Sequence, residues 1–145
     1  MTDHAFKDKV VLIAGGAKNL GGLISREVAK QGANVVVHYN SDSSRTDAEE
    51  TVSAVKELGG EAYMTQGDLT RPANVEALFL EAKDKFGGID IAINTVGKVL
   101  RKPIVETSED EYDAMFDINA KSAYFFIKEA GKHLNDNGKI ITVVT

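Results

Sequence analysis

Short apolar runs alternate along the chain with longer amphipathic segments. The runs cover residues 10–14, 34–38, 61–65, 89–94 and 139–144. Four of them are rich in Val and Ile without polar alternation, which predicts parallel strands buried on both faces. The run at 61–65 is weaker and more polar, as expected of a strand at the edge of a sheet.

The longer segments carry apolar residues at helical spacing. They predict helices over residues 20–31, 44–58, 72–86 and 109–134. The last begins with the capping-box sequence Ser108-Glu109-Asp110-Glu111. Repeated strand–helix–strand units predict an α/β fold, a doubly wound parallel sheet with right-handed crossovers and helices on both faces.

Ligands of open parallel sheets bind beyond the carboxyl ends of the strands. Directly after the first predicted strand comes a turn with four glycines, Ala14-Gly15-Gly16-Ala17-Lys18-Asn19-Leu20-Gly21-Gly22. Glycines permit a tight turn and close approach of the backbone to a diphosphate, while the following helix N-terminus offers free N–H donors. The sequence therefore predicts a nucleotide-binding turn here.

This turn resembles that of the short-chain dehydrogenases/reductases, which reads T-G-x-x-x-G-x-G. Gly15 and Gly21 match the first and third glycines, while Ala14 replaces the threonine and Asn19 the middle glycine. Asn tolerates a left-handed backbone, so the turn can survive that change. The resemblance implies a Rossmann fold with strand order 3-2-1-4-5, incomplete at the C-terminus, and a cofactor-binding turn formed by Gly15, Ala17, Lys18, Asn19, Leu20 and Gly21.

Two later strand ends continue the resemblance. Asp68-Leu69 matches the family's D-[VL] pair, whose carboxylate accepts from the adenine amino group. An alternative is that Asp68 helps to start the following helix. Asn94-Thr95-Val96-Gly97 stands where the family has N-N-A-G, which lines the adenosine ribose, and Asn94 and Gly97 match. These residues are therefore also expected to bind cofactor.

The second strand ends in His38-Tyr39-Asn40-Ser41, the expected ribose end of the cofactor site. Enzymes that prefer NAD place a carboxylate there to accept from the 2′-hydroxyl, and Tyr39 occupies that position. Lys18 stands where members that prefer NADP often carry a basic residue. The sequence therefore favours NADP(H). NAD(H) is the alternative, because a shifted register would bring Asp42 into the carboxylate position.

In this family catalysis uses Asn, Ser, Tyr and Lys. Asn119 fits the Asn that holds a water in a proton relay, and Thr145 lies at or next to the Ser position. The string Tyr124-Phe125-Phe126-Ile127-Lys128 has the Tyr-x-x-x-Lys spacing but precedes the last strand, so we expect packing and surface residues there. The family pair is expected beyond residue 145, which makes residues 1–145 one NAD(P)-binding Rossmann domain that is inactive alone.

Composition narrows the choice of function. The 145 residues include 17 basic and 22 acidic side chains, a net charge of −5, and no cysteine. Mild acidity argues against a nucleic-acid partner, and the three scattered histidines suggest no metal site. The polar N-terminus resembles no signal peptide and no apolar run could span a membrane, so a cytoplasmic protein is expected.

The segment 109–134 carries apolar residues around much of its circumference, which predicts burial on more than one side. In the family the equivalent helix packs against a partner subunit, so a homodimer or homotetramer is expected, with burial inside the monomer as the alternative. The predicted function is hydride transfer between NADP(H) and a small-molecule carbonyl or alcohol. A non-catalytic nucleotide-binding or partner-subunit module is the alternative, and a methyltransferase is a weaker one because the acidic residue after its second strand is missing.

Overall fold

The computed structural model describes residues 4–144 as strands separated by helices. The strands are β1 (Val10–Ala14), β2 (Asn34–Tyr39), β3 (Ala62–Gln66), β4 (Ile89–Asn94) and β5 (Leu134–Thr142). The helices are α1 (Asn19–Lys30), α2 (Arg45–Glu57), α3 (Pro72–Phe86), α4 (Glu109–Phe116) and α5 (Ser122–His133). Within the described range the strands form one parallel sheet in the order β3-β2-β1-β4-β5. The predicted fold class, strand order and edge position of the third strand are confirmed.

The central strand β1 divides its side chains between two apolar layers, because successive strand residues point to opposite faces. Leu12 lies in the layer that also contains Phe79 of α3 and Phe126 of α5. Val11 and Ile13 lie in the opposite layer, with residues of α1 and α2. Every residue of β1 is buried. The continuous apolar run at 10–14 therefore reflects burial on both faces.

The predicted helix at 109–134 is helical from residue 109 to residue 133 but is not regular throughout. The capping box is present, since the Ser108 hydroxyl accepts from the Glu111 N–H and the Glu111 carboxylate accepts from the Ser108 N–H. A π-helical turn, Asp117–Lys121, then separates α4 from α5. The helix is therefore present as predicted, with a π turn at its middle that the sequence analysis did not predict. A π turn leaves a helical pattern largely unchanged in the sequence, which is why the apolar spacing did not reveal it.

Apolar side chains of this helical segment lie open to solvent within the described chain. The fractional exposure is 52% for Tyr112, 47% for Phe116, 67% for Tyr124 and 50% for Ile127. Only part of the segment is buried, notably Phe126. A subunit partner on this face stays a prediction.

The last strand differs most from expectation. It starts at Leu134, where a helix was expected to end, and its pairing with β4 shifts register between Ile89 and Ile91. It is also mostly exposed rather than buried on both faces, with Ile141 at 49%. Within residues 4–144 it is an edge strand, so its second edge has no pairing strand there.

Candidate functional site: a cleft at the carboxyl edge of the sheet

A cleft of about 310 Å³ opens where the chain leaves β1, β2 and β4. Strand order changes direction beside β1, so the loops after β1 and β4 separate and leave a crevice. Most of the residues predicted to bind cofactor line this cleft. They are Gly15, Ala17, Lys18, Asn19, Leu20, Gly21, His38, Tyr39, Asn40, Leu69, Thr95, Val96 and Gly97.

Two glycines make the turn after β1 possible. Gly15 has a φ of +73°, and a Cβ on Gly21 would lie 1.9 Å from the Gly15 carbonyl oxygen. Asn19 has a φ of +53°, which confirms the left-handed backbone expected there. The turn thus brings its backbone against the first residues of α1, whose free N–H groups suit an anionic ligand.

The hydroxyl that Ala14 lacks is supplied by Thr95, the first residue after the neighbouring strand β4. Thr95 Oγ1 donates to the Ala14 carbonyl oxygen at 2.7 Å and lies 3.3 Å from that of Gly15. A Cβ on Gly15 would approach the same hydroxyl to 2.7 Å. The departures from the family pattern at positions 14 and 95 therefore compensate each other. The threonine hydroxyl is lost at position 14, but the Thr95 hydroxyl still forms a hydrogen bond to the turn.

His38 connects the turn after β1 with the turn after β3. Its Nδ1 accepts from the Gly15 N–H at 3.0 Å, and its Nε2 lies 2.8 Å from the Gly67 carbonyl oxygen. The imidazole is 1% exposed. Burial lowers the pKa of His38 below 6.5, and the bond to Gly67 partly opposes that shift.

Acid is expected to destabilise the protein through this histidine. An unfolded histidine takes up a proton below about pH 6.5, whereas the buried His38 stays neutral to a lower pH, so the free energy of unfolding falls on acidification. The His38 contribution is fully present above pH 6.5 and is lost at up to about 1.4 kcal/mol per pH unit below it. Urea unfolding at pH 7.5 and 5.5 should show a larger loss for the wild type than for His38→Gln. Equal losses would contradict the expectation.

The residues after β2 divide between the cleft and the surface. Tyr39 and Asn40 line the cleft, together with Ser44, which the sequence reading missed. Ser41 does not line it, and its hydroxyl lies 2.8 Å from that of Ser43. The Asp42 carboxylate accepts from the Gln66 side chain at 3.0 Å and does not line the cleft.

Asp68 lies beside the cleft rather than on its lining. Its Oδ1 accepts from the Thr70 hydroxyl at 2.7 Å and from the Thr70 N–H at 3.0 Å. Those bonds lower the pKa of the carboxyl group. Leu69, the second residue of the pair, is buried and lines the cleft. The geometry shows Asp68 ordering the turn before α3, and an adenine contact stays a prediction.

The segment after β4 separates the first cleft from a second, larger one of about 670 Å³. The backbone there is ordered by Asn94, whose Oδ1 accepts from the Val96 N–H at 2.9 Å. Asn94 lines the second cleft only, whereas Thr95, Val96 and Gly97 line both. The wall of the second cleft is largely apolar, and it includes Met115 and Phe116.

Asn119 lies in the π-helical turn and lines the second cleft. Its Oδ1 accepts from the Lys98 N–H at 2.9 Å, and its Nδ2 donates to the Lys98 carbonyl oxygen at 2.8 Å. These are the polar partners that an Asn among apolar residues requires. The side chain of Asn119 therefore holds the loop after β4, and its part in a proton relay stays a prediction.

Sequence reasoning missed two further residues of the first cleft, Lys98 and Ile118. Lys98 directly follows Gly97, the last residue of the motif, and this position next to the motif could have predicted its place in the cleft. Ile118 lies in the π-helical turn, and no sequence signal marked it. Thr145 lies outside the described residues.

The Tyr-x-x-x-Lys string at 124–128 lies on α5 and lines neither cleft. Tyr124 is 67% exposed, and the Lys128 ammonium lies 5.5 Å from the centre of the Phe125 ring. Among residues 4–144 there is no cluster of three metal-ligating side chains. No helix in that same range has the length and apolar character needed to cross a bilayer.

A parallel sheet with a glycine-rich turn at its central carboxyl edge defines the doubly wound class of nucleotide-binding protein. A family model described as enoyl-(acyl carrier protein) reductase matches residues 15–145. The chain belongs to the short-chain dehydrogenase/reductase family, whose members are oxidoreductases.

The chain spans about half the length of the curated relatives that it matches. A hydroxynaphthalene reductase-like protein from Metarhizium brunneum is 35% identical over 140 residues, which are 97% of this chain and 52% of that protein. A protein from Burkholderia cenocepacia, described as a dehydrogenase and solved with bound NADP, is 63% identical with a TM-score of 0.95, over 99% of this chain and 54% of that one. A short-chain dehydrogenase from Oenococcus oeni is 50% identical with a TM-score of 0.86, over 98% and 64% of the two chains.

Proposed function

We propose that residues 1–145 form the cofactor-binding domain of an NADP(H)-dependent oxidoreductase that acts on a small-molecule carbonyl or alcohol. The cleft after β1, β2 and β4 carries this proposal, because it joins a glycine turn, a helix N-terminus and a ribose end without a lining carboxylate. The residues fit a dinucleotide, since Gly15 and Gly21 allow the tight turn against α1, where a Cβ on either would collide with Thr95 or with the Gly15 backbone. When bound, the nicotinamide supplies the hydride chemistry.

The preference for NADP(H) rests on charge. Asp42, the only carboxylate that a shifted register would supply after β2, bonds to Gln66 and is absent from the cleft lining. Lys18 precedes the first residue of α1 and does line the cleft. A 2′-phosphate would therefore meet a cation, where a bare 2′-hydroxyl would lack the usual carboxylate acceptor. The NADP-bound Burkholderia cenocepacia relative supports the same choice.

The substrate is proposed to lie in the second cleft, next to the nicotinamide end of the first. The two clefts share Leu20 and the segment 95–98, so a ligand in one borders a ligand in the other. Its largely apolar wall would reduce the contact of a bound substrate with water. Asn119 fixes the Lys98 segment that separates the clefts through both atoms of its side-chain amide.

We expect NADPH to bind at least about 10-fold more tightly than NADH, because only NADPH carries the 2′-phosphate that Lys18 can contact. Lys18→Ala should weaken NADPH binding about 5- to 10-fold and leave NADH binding nearly unchanged. Titration of the full natural protein by fluorescence or calorimetry measures both. The matched control is Lys30→Ala, at the other end of α1, where the side chain pairs with Glu27. NADH binding as tight as NADPH binding would contradict the proposal.

A further inference from the structure

The His38 side chain spans the space between two turns that neither backbone bridges directly. Its Nδ1 accepts a hydrogen bond from Gly15, in the turn after β1, so the ring proton must be on Nε2. That Nε2–H then donates to the carbonyl oxygen of Gly67, in the turn after β3, at 2.8 Å. The structure thus requires one state of the ring, the neutral Nε2–H tautomer.

Backbone bonds from β2 hold each turn separately. The His38 carbonyl oxygen accepts from the Gly16 N–H at 2.9 Å, and the Tyr39 carbonyl oxygen accepts from the Gly67 N–H at 3.1 Å. Among residues 4–144, the imidazole adds the one side-chain hydrogen-bonded link between the two turns. Since it is buried, water cannot replace either of its bonds without opening the site.

The two turns serve opposite ends of the proposed adenosine-diphosphate site. Gly15 belongs to the glycine turn that faces the diphosphate, whereas Gly67 immediately precedes the Asp68-Leu69 pair, of which Leu69 lines the cleft. A ligand that reaches both turns binds best when their separation is already set.

We propose that His38 is a positioning residue that locks the diphosphate turn and the adenine turn into one preorganised unit, and so sets the affinity for the whole cofactor. This inference rests on the proposed function of the cleft. Imidazole suits the task because it accepts on one side of a rigid ring and donates on the other. A Gln side chain carries its acceptor and donors at a single end and cannot span both turns.

The test compares the full natural protein with His38→Leu, which removes both bonds at similar volume, and with His38→Gln, which retains a polar group. Both variants should bind NADPH about 20-fold more weakly than wild type. Adenosine, which carries neither the 2′-phosphate nor the diphosphate, should lose less than about 3-fold, because it reaches only the turn after β3. Equal losses for the two ligands would overturn the inference.

Amide hydrogen exchange tests the link without any cofactor. In His38→Gln, exchange should accelerate in both turns, at residues 15–20 and at residues 67–69. Acceleration in one turn alone would show that His38 supports that turn and does not connect the two. His133→Gln is the matched control, since His133 lies on α5 and bonds to Glu129 rather than to the cleft, and it should leave both turns and NADPH affinity unchanged.

Nitrogen NMR of the histidine-labelled wild type requires no variant. At pH 7.5 the His38 ring should show a protonated Nε2 and an unprotonated, hydrogen-bonded Nδ1. An Nδ1–H tautomer or a charged ring would overturn the inference. Failure of the wild type to bind either nicotinamide cofactor would instead refute the proposed function, while the exchange and NMR results would still decide whether His38 links the turns.

Discussion

Gly21→Ala is expected to reduce NADPH affinity by more than about 100-fold, because its Cβ cannot coexist with the turn as built. The added carbon would lie 1.9 Å from the Gly15 carbonyl oxygen and 2.7 Å from its carbon. Both atoms are backbone, so relief requires the whole turn to move away from the start of α1. That movement removes the N–H groups that would face the diphosphate.

Calorimetric titration with NADPH measures the affinity, and thermal unfolding measures the accompanying loss of stability. Gly131→Ala is the control, since nothing lies within 4 Å of a Cβ built on this helical glycine. That variant should keep full affinity and gain up to about 1 kcal/mol, because Ala favours a helix over Gly. A folded Gly21→Ala protein with affinity within threefold of wild type would show that the turn is not built as described.

Phe79→Ala is expected to lower the free energy of unfolding by about 3 to 5 kcal/mol. Phe79 is fully buried on α3, and its ring meets that of Phe126 edge to face with centroids 5.1 Å apart. Removing it leaves a cavity between α3 and α5 and ends the aromatic pair. The melting temperature should fall by about 10 °C or more.

Urea unfolding gives the free energy directly. Leu80→Ala, on the same helix but 47% exposed, is the control and should cost less than about 1 kcal/mol. A double-mutant cycle with Phe126→Ala should show a coupling of about 0.5 to 1.5 kcal/mol between the two rings. Similar losses for Phe79→Ala and Leu80→Ala would mean that this layer repacks without a cavity.

The sequence predicted the sheet well because its signals are local. Val and Ile runs mark β1, which is fully buried, and β4, which is largely buried, and β3 shows its edge position through polar residues. The glycine turn was also readable, because backbone approach demands glycine at fixed positions. Most residues that line the cleft stand at or just after the ends of these strands, so their place in the cleft could be predicted from the sequence.

The errors occurred where distant parts of the chain decide the structure. The start of β5 at Leu134 depends on pairing with Ile89, across a register shift that no local pattern encodes. The Thr95 bond to Ala14 and the His38 bonds to Gly15 and Gly67 likewise join separate strand ends. The role of Asp68 was ambiguous from the sequence, because an Asp at this position can either accept hydrogen bonds within the turn or contact a ligand.

The position of β1 at the centre of the sheet also determines how the chain can assemble. Val11 pairs with Val35 on one side, close in sequence, and with Ile91 on the other, far away. During synthesis β1, α1 and β2 can therefore associate first. The other edge of β1 stays unpaired until β4 has been made. Closing that long loop costs conformational entropy before any pairing is gained, so docking of β4 onto β1 should limit the rate of folding.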